Sequence, residues 1–220
     1  MPARKAYHHG NLRAALISAA LKEIARSGPE GFSLREVARR AGVSAPAVYR
    51  HFKAKDDLLT AVAGECADRI GAAMLDAVAR APADPIERFR ATGIAYVQFA
   101  VEHPEHFRAM SVPGMFDRTP PEQRERQNAW EGEQRAAIAR AQQAGEIAAI
   151  PIDEIMLAAS SLVHGVAQRI VEGKLGKVDA ARARQLAIAA TAVLGAGLVP
   201  RSEAYQDPLT GRTLTPRRRG

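Results

Sequence analysis

Two short helices, each closed at its ends and joined by a tight turn, can be read directly from residues Phe32 to Leu59, FSLREVARRAGVSAPAVYRHFKAKDDLL. Ser33 stands three positions ahead of Glu36. Its hydroxyl can accept from the Glu36 amide while the Glu36 carboxylate reaches back, a capping box that starts a helix at Leu34. Leu34, Val37, Ala38 and Ala41 recur at helical spacing, and Gly42 falls where a left-handed residue ends the helix. Ser44 is expected to cap a second helix, from about Ala45 to His51, by accepting from the Ala47 amide. Pro46 costs little there because a first-turn amide has no intrahelical partner. The small Ala38, the turn glycine and the apolar Val48 sit where two steeply crossing helices must approach, turn and pack. A larger residue at position 38 would force them apart.

Helix pairs of this kind occur in many settings. Tyr49, Arg50, His51, Lys53 and Lys55 fall within seven positions, with only Val48 and Phe52 as an apolar stripe. One reading of this run is a solvated basic face. The other is DNA. Small residues at the start of the second helix leave that end slim enough for a major groove, and the basic flanks can meet phosphates. The run resembles the DNA-binding domain of the TetR family of transcriptional regulators, whose Tyr-x-x-Phe followed by Lys-x-x-Leu is matched by Tyr49, Phe52, Lys55 and Leu58. The resemblance implies phosphate contacts from Tyr49, His51 and Lys55 and from Ser33 and Arg35 at the start of the first helix. It also implies groove or base contacts from Ser44, Ala45, Ala47 and Arg50.

Charge is distributed as a DNA-binding head would require. The net charge is +7, yet residues 1–55 alone hold +8 and residues 198–220 hold +3, so the 142 residues between them sum to −4. Only the surface that neutralises phosphates has to be basic. The 220 residues suffice for one large or two small domains with a buried core. Alanine is abundant and β-branched runs are missing, so an all-α fold of about nine helices is expected. The single Cys66 rules out an intramolecular disulfide or a cysteine metal cluster, fits a reducing compartment and reads as a small filler. Arg13 and Lys22 interrupt what would have to be the apolar core of a leader peptide. The longest apolar run, Leu186 to Val199, is shorter than a bilayer span, so a cytoplasmic protein is expected.

Along the chain, residues 1–10 are a basic arm with Arg4, Lys5, His8 and His9, which could lie in an adjacent groove. Asn11 can cap a helix to about Ser27 with Leu12, Leu16, Ala19, Ala20, Ile24 and Ala25 on one face, ended by Gly28, Pro29 and Gly31. This support helix completes a three-helix head, with Phe32 expected to plug its core. A long helix leaves Lys55 with Asp56 and Asp57 in its first turn, suited to the positive helix terminus, and runs to Pro82, about 37 Å at 1.5 Å per residue. Residues Pro85 to Glu102 form the most aromatic helix. His103 and Pro104 begin a short helix to about Met110, or the spacing of His103 and His106 serves a metal. A loop, SVPGMFDRTPP, leads to a charged helix from Gln123 to Gln143 ended by Gly145. Asp153 is expected to cap the next helix, closed by Gly173 and Gly176, and Asp179 the last one. The tail after Pro200 is polar and ends in an arginine run; it is expected to be disordered.

The domains expected are therefore an arm and helix-turn-helix head over 1–55, a ligand-binding and dimerisation body over 56–199, and a basic tail over 200–220. In the last helix Leu186, Ala189, Ala190, Val193, Leu194 and Gly197 are expected to face inward. Two apolar helices so close to the end of the chain need cover. Either they form a hairpin core within one chain or they pair across a two-fold axis as a four-helix bundle. The family resemblance implies pairing, with an interface of Leu162, Val166, Ile170, Leu186, Ala190, Val193 and Leu194. Val163-His164-Gly165 resembles the Trp-His-Gly triplet of one subgroup, whose arm often begins like Tyr7 to Gly10; valine stands here in place of the tryptophan.

The function implied is a homodimeric regulator, most often a repressor in this family, that binds a palindromic operator in double-stranded DNA and is released by a small, mostly apolar effector. The long helix would be the connector whose tilt sets the spacing of the two recognition helices. The effector pocket would be lined by Met74, Val78, Phe89, Tyr96, Phe99, Phe107, Met110, Phe116, Trp130 and His164; the alternative is that these residues are plain core. A ligand-independent architectural DNA coat is a second class of function, distinguished by steep salt dependence without sequence preference. No P-loop, Gly-x-Ser-x-Gly, His-Glu-x-x-His or paired cysteines point to an enzyme, and no cofactor, metal or membrane partner is implied.

Overall fold

In the computed structural model the described residues are 12–28, 31, 33–198 and the backbone of 205, 206, 213 and 214. The arm through Gly10, the expected cap Asn11, Pro29, the expected plug Phe32 and the terminal arginines lie outside them. The helices are α1 (Leu12–Ser27), α2 (Leu34–Ala41), α3 (Ala45–Tyr49), α4 (Lys55–Arg80), α5 (Pro85–Glu102), α6 (Pro104–Met110), α7 (Pro121–Gln143), α8 (Ile152–Val171) and α9 (Ala180–Leu198). A 3-10 turn at Phe116–Arg118 interrupts the expected loop. Tyr205–Gln206 and Thr213–Leu214 pair as two short antiparallel strands, β1 and β2, so at these four residues the tail departs from the disorder expected of it. Tyrosine and threonine favour extended backbone, which the overall polarity of the tail conceals. No helix among the described residues is long and apolar enough to cross a membrane.

The chain packs as two compact units that do not follow the linear boundary expected at residue 55. The first takes the residues up to Arg69 together with His103–Glu125, and the second takes Ile70–Glu102 and the residues from Arg126 onward. The short α6 belongs to the first unit because it packs on α1. Periodicity shows that a helix is amphipathic, not which neighbour covers its apolar side.

The first unit is built around Leu16 and Ile24 of α1, Val37 of α2, Val48 of α3 and Leu58, Val62 and Cys66 of α4, all fully buried. Each of the larger aliphatic side chains contributes about 1.5–3 kcal/mol through burial. Burial also pushes the Cys66 thiol up to about 12, so it stays protonated and acts as filler. One charged residue shares this core. Glu23 has no exposure, and its carboxylate is bound by Arg26 of its own helix and by Arg40 of α2. The hydrogen bond from Arg26, with further help from Arg40, holds the Glu23 carboxyl below its ordinary value despite burial.

In the second unit α5 packs against both α8 and α9, which also pack on each other. Gly93 permits the approach of α5 to α8: a Cβ there would lie 3.1 Å from Val163 Cγ1. Arg90 donates to Thr191 Oγ1 at 3.1 Å and to the Ile188 carbonyl at 3.3 Å, tying α5 to α9. A second cluster joins Ile138, Ala141, Ile147 and Ile155, with Phe89 and Met156 against it. Asp153 does not cap α8. The helix begins at Ile152 after Pro151, and Asp153 sits in its first turn with its carboxylate on Arg135. Asp179 does cap α9, accepting from the Arg182 amide at 2.8 Å.

The inward face of α9 also differs from the one expected. Ala183, Ala187 and Thr191 are the buried positions, while Ala189, Gly197 and Val193 are exposed, Val193 at 75%. Small side chains turn inward because α9 lies close to α5 and α8.

Candidate nucleic-acid interface

The first helix of the pair starts where the sequence places it, with half of its capping box. Ser33 Oγ accepts from the Glu36 amide at 3.2 Å, but the Glu36 carboxylate binds Arg39 one turn on instead of reaching back. A charged hydrogen bond to a guanidinium outcompetes one to a backbone amide. Gly42 closes α2 at φ 69°, and the Val43 amide donates to the Ala38 carbonyl at 3.0 Å. The turn into α3 is made by backbone alone: the Ala47 amide donates to the Ser44 carbonyl at 2.9 Å, and the Ser44 hydroxyl makes no cap bond. That corrects the expected side-chain cap and leaves the hydroxyl on the exposed surface.

The Tyr-x-x-Phe and Lys-x-x-Leu pattern divides into anchors and contacts. Phe52 is 2% exposed and Leu58 is fully buried, so these two fix the segment to the core. Tyr49, 50% exposed, and the exposed Arg50, His51 and Lys53 are carried outward between the anchors, with the half-buried Lys55 behind them. The helix ends two residues earlier than expected, at Tyr49. Arg50 and His51 form its closing turn, held by the Phe52 amide donating to the Val48 carbonyl at 2.9 Å. Asp57 Oδ2 accepts from the Ala54 amide at 3.0 Å and so fixes the start of α4 beside Lys53 and Lys55.

One expected groove residue is misplaced. Ala47 is 6% exposed and packs inward beside Val48, where α3 lies against α2. Ser44, Arg35 and Ser33 are exposed and Ala45 half-buried, as groove or phosphate contacts require. Charge selects further. Arg39 and Arg40 are taken by Glu36 and Glu23, whereas among the described residues Arg35, Arg50 and Lys53 have no carboxylate partner. The buried Glu23 is a residue that the motifs of the sequence do not single out. Its sign is legible all the same, since it lies seven positions after Leu16 and three after Ala20, within the apolar stripe.

Residues 16–62 match the family profile described as bacterial regulatory proteins, tetR family. Residues 89–194 match the profile described as tetracyclin repressor-like, C-terminal domain. The chain belongs to the TetR family. This TetR-family chain is 35% identical over 75 residues to the HTH-type transcriptional regulator AcrR of Shigella flexneri; the match covers 34% of this chain and spans only 35% of that regulator. A solved protein of unknown function from Rhodococcus sp. RHA1 is 32% identical, with 89% of this chain and 100% of that one covered and a TM-score of 0.67. A TetR family transcription regulator from Marinobacter aquaeolei VT8, at 24% identity, shares the fold: TM-score 0.66, with 82% of this chain and 95% of that one covered. The protein is a DNA-binding transcriptional regulator.

The ten residues expected around an effector are divided between the two units of this TetR-family chain. Phe107 and Met110 are buried in the first unit, and Phe116 is 51% exposed there on the 3-10 turn. Met74, Val78, Phe89, Tyr96, Phe99, Trp130 and His164 belong to the second unit. Two of these meet directly: Tyr96 Oη lies 2.9 Å from His164 Nδ1. Burial pushes the Tyr96 hydroxyl up to about 12, so it remains a donor. Of the residues expected at a dimer face, Ile170 is 7% exposed and belongs to the core within the chain. Leu162, Val166, Leu186, Ala190 and Leu194 are half-buried, and Val193 is open.

Proposed function

We propose that this regulator is a non-catalytic homodimeric repressor acting in the cytoplasm, which binds a palindromic operator and releases it when a small, mostly apolar molecule enters the second unit. The observation that carries this reading is the division of the signature segment. Phe52 and Leu58 are locked in the core, while Tyr49, Arg50, His51 and Lys53 face solvent on a turn held by backbone hydrogen bonds. A rigid support behind a basic turn that has no carboxylate partner among the described residues favours site-specific recognition over a coat that follows charge alone. Ser33, Arg35, Tyr49, His51 and Lys55 serve the phosphates; Ser44, Ala45 and Arg50 serve the groove.

Pairing through α8 and α9 is supported by Leu157 and Val193, which stand 67% and 75% exposed on these helices. Two-fold symmetry then asks for half-sites about 34–36 Å apart. The Tyr96–His164 pair would give an apolar effector its one oriented polar contact. The deciding experiment is selection of bound sequences from random DNA, where a two-fold symmetric consensus is expected. In the same assay Arg50→Ala should lower affinity for the selected site by about 1–3 kcal/mol and leave affinity for random DNA nearly unchanged. Equal losses on both DNAs would make Arg50 a phosphate contact, and a selection without consensus would favour the architectural coat.

A further inference from the structure

A cleft of about 550 Å³ opens within the first unit, bounded by α1, α4 and α6. This is a volume suited to a small molecule. Ile17 and Leu21 of α1 give it an apolar wall, while Arg13 and Ser18 of the same helix bring a guanidinium and a hydroxyl. Across from them stand Glu65 and Arg69 of α4 and His106 of α6. The charges do not cancel. Arg69 gives its Nε–H to Glu65 Oε1 at 2.5 Å, which leaves its two terminal nitrogens without an acceptor among the described residues. Arg13 lies over the Phe52 ring at 5.4 Å and has no carboxylate partner among the described residues. His106 is 8% exposed; burial first, and then the charge of Arg69, keep it below its ordinary value and neutral at pH 7. Two guanidiniums and one carboxylate leave the cleft one positive charge in excess.

We propose that this cleft binds a small organic monoanion, a carboxylate carried on a short apolar body, giving the DNA-binding unit a ligand site separate from the effector pocket of the second unit. The carboxylate takes the open donors of Arg69 and Arg13, and the apolar body lies on Ile17 and Leu21. Of the two guanidiniums, Arg13 lies over Phe52 at the back of the recognition turn, and Arg69 stands apart from that turn. Arg69 comes fourteen residues after Lys55 on α4, a rise of about 21 Å along the helix.

The test uses the full-length protein, calorimetric titration with sodium benzoate and sodium hexanoate at constant ionic strength, and benzamide as the uncharged counterpart. Saturable binding of at least one carboxylate is expected, with benzamide weaker than benzoate by on the order of tenfold. Arg69→Gln and Arg13→Gln should each weaken the carboxylate by a similar factor while moving the ligand-free thermal midpoint only slightly, since both side chains are solvent-exposed and their contacts are single surface ones. Tyr96→Phe should leave it unchanged. The proposal is overturned if neither carboxylate binds, if benzamide binds equally well, if both arginine variants bind as the parent does, or if Tyr96→Phe abolishes binding. The last result places the ligand in the second unit and supports the effector pocket, so the two readings fail separately.

Discussion

In the DNA-binding unit, Leu16, Ile24, Val37, Val48, Leu58 and Val62 are at most 1% exposed; along α8 and α9 the buried residues include Ala167, Ala183, Ala187 and Thr191, while Leu157 and Val193 stand open. The first arrangement is a complete small core, with large side chains filling the space between four helices. The second uses small side chains to bring helices close and leaves large ones unspent on the outer face. Packing in the two regions thus draws on different residue sizes. The recognition turn needs a support that does not yield, whereas the last two helices leave open the apolar surface that the proposed pairing would use.

The largest effect is expected from removing volume in the head. Leu58→Ala should cost about 2–5 kcal/mol, read as a lower urea midpoint with an unchanged slope, because the closed core cannot collapse onto the gap. A cost near zero would mean that the head is loosely filled after all. Next in size, Val193→Glu should raise the dimer dissociation constant on the order of hundredfold in sedimentation, since pairing would bury a carboxylate without a partner. Helix content should not change, as Val193 touches solvent in the single chain. A variant that stays dimeric would move the interface off this face.

The smallest effect sharpens the one exception in the head, its buried charge. The Glu23 carboxyl is held below its ordinary value, so the stability it contributes is present above pH 4.5 and is lost as pH falls through its lower value in the folded state. Glu23→Gln should therefore lower the urea midpoint at pH 7, and the gap between variant and parent should narrow below about pH 4. A gap independent of pH would show that the loss is one of shape and not of charge.

Where local chemistry decides structure, the sequence is a sufficient guide. The starts of α2 and α9, the left-handed Gly42, the bounds of α5 and the outward Tyr49 and Arg50 all come from side chains acting within one turn. It guides poorly where the outcome depends on a neighbour distant in the chain. Ala47 and Ile170 turn inward because α2 and α5 lie against their helices, and α6 joins the head because α1 offers it a surface. Glu36 shows the same limit at short range, since a carboxylate with two reachable donors takes the charged one. Phe107, Met110 and Phe116 group with the effector residues on aromatic and sulfur character alone, and character does not say which unit a side chain enters.

The buried thiol at Cys66 has a practical consequence. A cysteine that is protonated at neutral pH and closed to solvent will not react with maleimide or nitroxide reagents, so the natural chain is already silent toward labelling. A single cysteine introduced at an exposed position beside the recognition turn, such as Lys53→Cys, would carry one probe per chain. In the proposed dimer, spin-label distances between two such probes would report the separation of the heads with and without a candidate effector, with no native residue to be removed first.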